Sequence, residues 1–464
     1  MKQSILILIA LTLVGCIPCG LHAATISVPL DYPTIQAGID AAVDGDTVLV
    51  ADGTFSGEGN RNITMGNKQL IVQSENGYES CIIDCQLSGS GLFAGPPESV
   101  FRGFTITHSQ EEWGYAAVMG GGGGTIDGCL LENNWIGVYA YNKQNACLVK
   151  NCVIRDDVMT GIYANSASIQ ALDCRITNPD TAIYSDVYGS IAGFNCIVSG
   201  SVFVYFAGDV KFTNCTIQGS VGGYVDSYIY MRNCILWPGD IGGAEDTAFS
   251  IQYSNTQCGW SGEGNICQDP KFVTGPLGGL YLSSLAGGQI EDSPCINAGN
   301  DTAESTCDPW QADPLCMSQL TTNTTAVSDD GTVDMGYHYP SNPPAPTPTP
   351  TNPGVDLILN NSEFHAGDPF KLRALCSGPT GENLDLYTIL DIEGTYWFYP
   401  DWTRTPCCKS ITLLDQQMSY FFILDFVWPD GAGQGDDIRF WGAMLRPETS
   451  EMVGSFDCVS FSFR

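Results

Sequence analysis

The feature that most constrains this chain is a phrase that returns about every twenty residues. It reads Gly128-Cys129-Leu130-Leu131, Asn151-Cys152-Val153-Ile154, Asp173-Cys174-Arg175-Ile176, Asn195-Cys196-Ile197-Val198, Asn214-Cys215-Thr216-Ile217 and Asn233-Cys234-Ile235-Leu236. Successive cysteines are 23, 22, 22, 19 and 19 residues apart, and Phe101-Arg102-Gly103-Phe104-Thr105-Ile106 is an earlier copy with Phe in the Cys place. A second phrase runs out of phase with the first: Gly137-Val138-Tyr139-Ala140, Gly161-Ile162-Tyr163-Ala164, Ala182-Ile183-Tyr184-Ser185 and Phe203-Val204-Tyr205-Phe206, with Gly223-Tyr224-Val225 as a weaker fifth copy. Each repeat therefore holds at least two strand-like runs separated by Asn, Asp, Gly and Ser turns. A unit this short cannot bury an apolar face alone, so stacked copies must share one core as the coils of a solenoid. The chain lacks the dense leucine frame of leucine-rich repeats.

Strand side chains alternate between faces. Cys129 with Leu131, Cys152 with Ile154 and Cys174 with Ile176 share the inward parity, which leaves Asn151, Asp173, Arg175, Asn195 and Asn214 outward. The cysteines are then small core residues. Stacked Cβ atoms lie about 4.8 Å apart, beyond a disulfide's reach, so buried thiols are expected. The same argument puts Val138, Ile162, Ile183 and Val204 inside and stacks Tyr139, Tyr163, Tyr184, Tyr205 and Tyr224 as an outward stripe. Two residues further on, the outward positions read Tyr141, Asn165, Asp186, Ala207 and Asp226.

Charge narrows the partners. Lys plus Arg total 18 against 51 Asp plus Glu, a net charge of -33. Nucleic acid and anionic membrane surfaces need Lys and Arg to displace counterions, so both are excluded. An acidic polysaccharide would need a local cation. Residues 1–24 read as an export leader: Lys2, an apolar run from Ile5 to Val14, then Ala23 and Ala24. Two endings fit it. Leu13-Val14-Gly15-Cys16 resembles a lipobox that would make Cys16 a lipidated N-terminus and anchor the protein at the cell surface, while cleavage near Ala23 would release it. No stretch is long enough for a transmembrane span.

Further phrases extend the solenoid. Tyr32-Pro33-Thr34-Ile35-Gln36-Ala37-Gly38-Ile39-Asp40-Ala41-Ala42 places Ile35, Ile39 and Ala42 on one helical face, and Asp44 to Phe55 reads as a strand and turn. Near the other end stand Gly262 to Phe272, Asp292 to Gly299 and Asp329-Asp330-Gly331-Thr332-Val333-Asp334-Met335-Gly336-Tyr337-His338-Tyr339. With the repeats, these phrases resemble the right-handed parallel β-helix proteins of the pectin-lyase-like superfamily over roughly residues 25–340. The resemblance implies fold more than reaction. That family includes polysaccharide lyases, glycoside hydrolases, esterases and surface proteins, and its catalytic phrases do not appear in this chain.

Ser341 to Gly354 is a Pro-Thr linker of the kind that joins extracellular modules. Residues 355–464 show short strands and turns without helical periods, which suggests an antiparallel β-sandwich. The expected fold is thus all-β, a right-handed parallel β-helix followed by a small sandwich. In the second module Tyr396, Trp397, Phe398, Tyr399, Trp402, Trp428 and Trp441 would fill a core or stack on sugars. Cys376, Cys407, Cys408 and Cys458 are numerous enough to form bridges.

Four groups are candidates for function. The tyrosine stripe would track a linear polysaccharide or cell-surface glycan, or would simply be exposed strand former. Asp186 and Asp226 would lie about 9–10 Å apart if two coils separate them, the spacing of an inverting glycosidase pair. Asp156, Asp157 and Asp180 fall in turns and would gather Ca²⁺, with Arg155 and Arg175 as nearby lyase cations; Asp329, Asp330 and Asp334 form a second calcium loop. Against each stands the simpler view of solvated turn residues. The histidines His22, His108, His338 and His365 are scattered and suggest no zinc cluster.

Overall fold

The computed structural model describes residues 23–341 and 354–464, apart from 113, 142–144, 258–259, 360–362, 368, 378–382, 393, 413–418, 428–434 and 448. Most of the leader, with Cys16, most of the linker, and Trp428 lie outside the described residues.

A short helix, Ile35–Ala41, closes the first coil. Thr34 caps it by accepting the Ala37 N–H at 3.2 Å, and Ile35 and Ile39 are fully buried, as their spacing requires. Beyond it the chain winds into a parallel solenoid of about 10 turns. One wall is an 11-stranded parallel sheet running from Thr25–Val28 to Ala248–Gln252, and the other is a 17-stranded sheet holding both sequence phrases. The 11-stranded wall was the run that the sequence did not delimit. Its inward column passes Cys147, Ile169, Ile191, Val210, Ile229 and Phe249 in register.

The inward parity holds. Leu131, Ile154, Ile176, Val198, Ile217 and Leu236 stack in register and are all buried. The preceding cysteines form a buried column of thiols, with Phe104 in the earlier Cys place. The register carries the column one coil further, to Cys81, which immediately precedes Ile82, the partner of Thr105. Burial pushes the thiol of Cys81 up to about 12 and those of Cys129, Cys152, Cys174 and Cys196 well above their ordinary range. The residue before each cysteine is not a strand residue but a corner: Gly128, Asn151, Asp173, Asn195, Asn214 and Asn233 all have φ between 51 and 57. Asn and Asp tolerate this left-handed region better than other side chains, which is why the phrase begins with them.

Outward does not mean exposed. After the last rung, Asn255–Thr256, the chain leaves the solenoid and residues 262–341 lie back across it as a wrap. A hairpin of Phe272–Gly275 and Gly278–Leu282 and a pair of Leu320–Thr321 with Tyr339–Pro340 stiffen this wrap. The corner residues bind it. Asn195 donates from Nδ2 to the His338 carbonyl and accepts its N–H, Asn214 donates to the Asp334 carbonyl, and Asn233 accepts the Asn300 N–H. Leu172 and Phe194 pack against Ala303, Met317, Leu320 and Val333. A disulfide, Cys307–Cys316, closes a loop of the wrap.

The second module is antiparallel. A three-stranded sheet and a six-stranded sheet enclose one core that includes Leu357, Leu372, Leu386, Phe370, Phe440 and Phe461. Cys376, Cys407 and Cys408 remain thiols rather than forming the bridges their number suggested. Trp402 packs edge-on against Phe440, so this aromatic belongs to the core. Among the described residues no helix is long and apolar enough to cross a membrane.

Candidate functional site

The outward tyrosines do stack, but along a bent line. Tyr139, Tyr163 and Tyr184 are strict register partners, with ring centroids 5.0 Å apart at both steps. The next coil then shifts. Its corner is three residues shorter, because Ile176 pairs with Val198 whereas Ile183 pairs with Val202. Tyr184 therefore faces Phe203, and Tyr205 falls in the neighbouring outward column, beside Asp186. The backbone bonds from Tyr205 N to the Ser185 carbonyl and from Tyr224 N to the Val204 carbonyl keep that offset. The stack changes columns diagonally, at 6.4 Å between Tyr184 and Tyr205, and resumes at 4.8 Å between Tyr205 and Tyr224.

Exposure grades along the column. Tyr139 and Tyr163 are only 9% and 4% exposed, packed with Ala116, Ile136, Met119, Trp135 and Met159. Tyr184 and Tyr205 are half-buried, Tyr224 is 39% exposed, and the flanking Tyr141 and Phe206 are 54% and 51% exposed. Phe206 was not singled out from the sequence; its ring centroid lies 5.4 Å from that of Tyr205. It occupies a corner at φ 42, where a bulky side chain is costly, and Val187 and Val225 do the same at φ 46 and 53. Burial first, then neighbouring tyrosines and Asp186, push the Tyr139 and Tyr184 phenols up to about 12, so these hydroxyls stay neutral donors. Asn165 donates to the Tyr163 hydroxyl at 3.2 Å, and that hydroxyl donates to Asp186 Oδ2 at 3.4 Å. Asp186 Oδ1 is enclosed with no hydrogen-bond partner.

The aspartate pair does not form as expected. The register shift places Asp186 beside Tyr205, while Asp226 lies two residues beyond Tyr224 at an exposed corner with φ 56. The lyase cations are committed elsewhere. Arg155 is tied to Glu132 at 2.7 Å, and Arg175 donates to the Leu277 carbonyl at 2.7 Å while lying over the Tyr337 and Tyr339 rings.

Nor do Asp156, Asp157 and Asp180 converge. Asp157 turns inward, fully buried, and occupies a ladder of corner side chains in which Ser109 N–H donates to Asn134 and Asn134 N–H to Asp157. Burial pushes its carboxyl well up, against the hydrogen bonds from Asn134. Asp156 sits at φ 56, 3.6 Å from Arg155, and Asp180 is exposed. Asp329 and Asp334 do come together in the wrap, but with His338 rather than with Asp330, which is exposed. Burial and the Asp329 charge beside it raise the Asp334 carboxyl.

A family model described as a right handed beta helix region matches residues 115–258, the stretch that carries both phrases. No curated protein matches the chain. The solenoid is a right-handed parallel β-helix.

Proposed function

We propose that this chain is an exported β-helix protein that holds an extracellular polysaccharide or cell-surface glycan along the tyrosine column. The observation that carries this reading is the five-ring stack, rooted in Tyr139 and Tyr163 and opening to solvent at Tyr184, Tyr205 and Tyr224. Buried rings make a rigid foundation, and Tyr184, Tyr205 and Tyr224 offer apolar ring surface and hydroxyls side by side, the mixture that a pyranose matches. Exposed bulky side chains held at left-handed corners beside the stack fit a surface shaped for contact rather than for stability alone. The leader-like residues 1–24 support location outside the cell, either released or anchored through Cys16. Holding is preferred to cleavage because Arg155 and Arg175 are engaged in structural contacts and Asp186 and Asp226 do not share a column.

The test is affinity electrophoresis of the whole protein through gels containing neutral or acidic polysaccharides, with reducing-end release measured in parallel. A ring withdrawn from such a contact is worth roughly 1 kcal/mol. Tyr205→Ala with Tyr224→Ala should therefore weaken retention about 30-fold. Equal retention of the folded double variant, or no retention of the wild type on any glycan, would refute the assignment. Release of new reducing ends would replace holding by catalysis.

A further inference from the structure

Among the described residues, Asp329, Asp334 and His338 are the one group of three whose metal-binding atoms all lie within 4.8 Å of one another. They are 9%, 6% and 0% exposed. The chain reaches this arrangement through two turns at Gly331 and Gly336, with φ 72 and 91.

The hydrogen bonds assign the imidazole. His338 Nδ1 lies 3.0 Å from the Gly336 carbonyl, which can only accept, so Nδ1 carries the proton. In the neutral ring Nε2 is then a lone pair, and it faces Asp329 Oδ2 at 2.9 Å. Two acceptors at this separation require a positive bridge, either a proton or a metal ion. The carboxylates are held from outside. Asp329 Oδ2 accepts the Asp334 N–H at 3.0 Å, Asp334 Oδ1 accepts the Asn297 N–H at 2.6 Å, and Thr322 donates to Asp334 Oδ2. Each oxygen keeps further lone-pair capacity, and such outer bonds are what orient metal ligands. Among the described residues no Lys or Arg pairs with either carboxylate. With both carboxylates ionised and the imidazole neutral, the forms that bind metals, the group would carry two negative charges, which a divalent cation balances. The distance is near that between two ligands of one ion, because ligands about 2.1 Å from the metal lie about 3.0 Å apart in octahedral and about 3.4 Å apart in tetrahedral coordination.

We propose that Asp329, Asp334 and His338 form a site for a divalent transition-metal ion of the zinc type, which pins the wrap to the solenoid. Calcium fits less well, since it collects six or more oxygen ligands and this site offers a nitrogen. The consequence is mechanical. His338 is bonded both ways to the Asn195 side chain, and the Asp334 carbonyl to Asn214, so fixing this segment fixes the wrap against successive coils. The proposal does not rest on glycan binding.

The test uses the full chain, without an affinity tag that binds metals. Metal content is measured by elemental analysis, the protein is stripped with a chelator, and Zn²⁺, Co²⁺ or Ca²⁺ alone is added back while melting is followed. We expect uptake of one Zn²⁺ or Co²⁺ per chain, a visible ligand-field spectrum with Co²⁺, and a higher Tm that Ca²⁺ does not reproduce. His338→Gln should lose uptake, and Asp330→Asn should keep it. If stripped and reloaded wild type melt alike and retain no stoichiometric metal, a proton bridges the pair and the proposal fails. It fails equally if folded His338→Gln binds as the wild type does. Should His338→Gln not fold, the wild-type comparison decides alone.

Discussion

Replacing Asp173 by Asn should stabilise the protein at neutral pH. Asp173 stands at φ 51 in a corner column otherwise made of Gly128, Asn151, Asn195, Asn214 and Asn233. It is half-buried beneath the wrap, where Oδ1 accepts from the Tyr337 hydroxyl at 3.0 Å and from Asn195 Nδ2 at 3.1 Å. Burial raises its carboxyl from 3.8 to about 6, against the lowering effects of Tyr337, Arg175 and Asn195. The sign follows from linkage. A carboxyl whose folded pKa lies above its unfolded value is penalised once it ionises, so stability is lost as pH rises from 3.8 through about 6. The shift corresponds to at most about 3 kcal/mol, reached above about pH 7. Asn keeps the Oδ1 acceptor, suits the left-handed corner, and carries no charge. The assay is thermal melting of wild type and Asp173→Asn from about pH 4 to pH 7.5, read as the difference between the two. That difference should grow with pH in favour of the variant, to several degrees. Other buried acids, such as Asp157, cancel in it. Parallel pH profiles, or a variant less stable at neutral pH, would refute the reasoning.

Other outcomes can be checked more briefly. Arg155→Met should lower stability by about 3 kcal/mol, because it leaves Glu132 half-buried without its 2.7 Å partner, while glycan retention stays unchanged; calorimetry and affinity gels read the two separately. The column thiols from Cys129 to Cys234 should not react with a thiol reagent in the native protein but should all react after unfolding, since they are buried and those from Cys129 to Cys215 are driven far from thiolate; rapid native labelling of any of the six would contradict their placement. Gly219→Ala should destabilise the solenoid by roughly 2 kcal/mol or more, because its Cβ would lie 2.2 Å from the Gly200 carbonyl oxygen in the preceding coil; an unchanged Tm would show that the coils are not stacked there as described.

Much of this fold was legible in the chain because a solenoid repeats its constraints. Each coil must send an apolar side chain into the shared core at the same place, so Leu131, Ile154 and Ile176 betray their inward parity by type alone. The cysteine column was legible for the same reason. The corner role of Asn151, Asn195 and Asn214 was hidden, since parity treats every residue as strand and a left-handed corner interrupts the alternation. The second wall was hidden as well, because its sequences vary from coil to coil while only their burial repeats.

The candidate site was legible in its residues but not in its geometry. Local sequence supplied five tyrosines at the right parity. The corner between Val198 and Val202, three residues shorter than that between Ile176 and Ile183, moved Tyr205 into the next column, and with it the relation of Asp186 to Asp226. Covering decided the rest. Whether an outward residue meets water depends on which distant segment lies over it, and the wrap that buries Asn195 and Asn214 comes from more than a hundred residues later. His338 looked isolated because no other histidine stands near it in sequence, and it became one of three convergent ligands only when the turns at Gly331 and Gly336 folded the strap. The sequence by itself determined the coil, its period and its core, since those follow from short-range alternation repeated many times. Lateral register, corner length and the path of the returning wrap fixed which outward groups meet, because they depend on contacts between segments that no local pattern records.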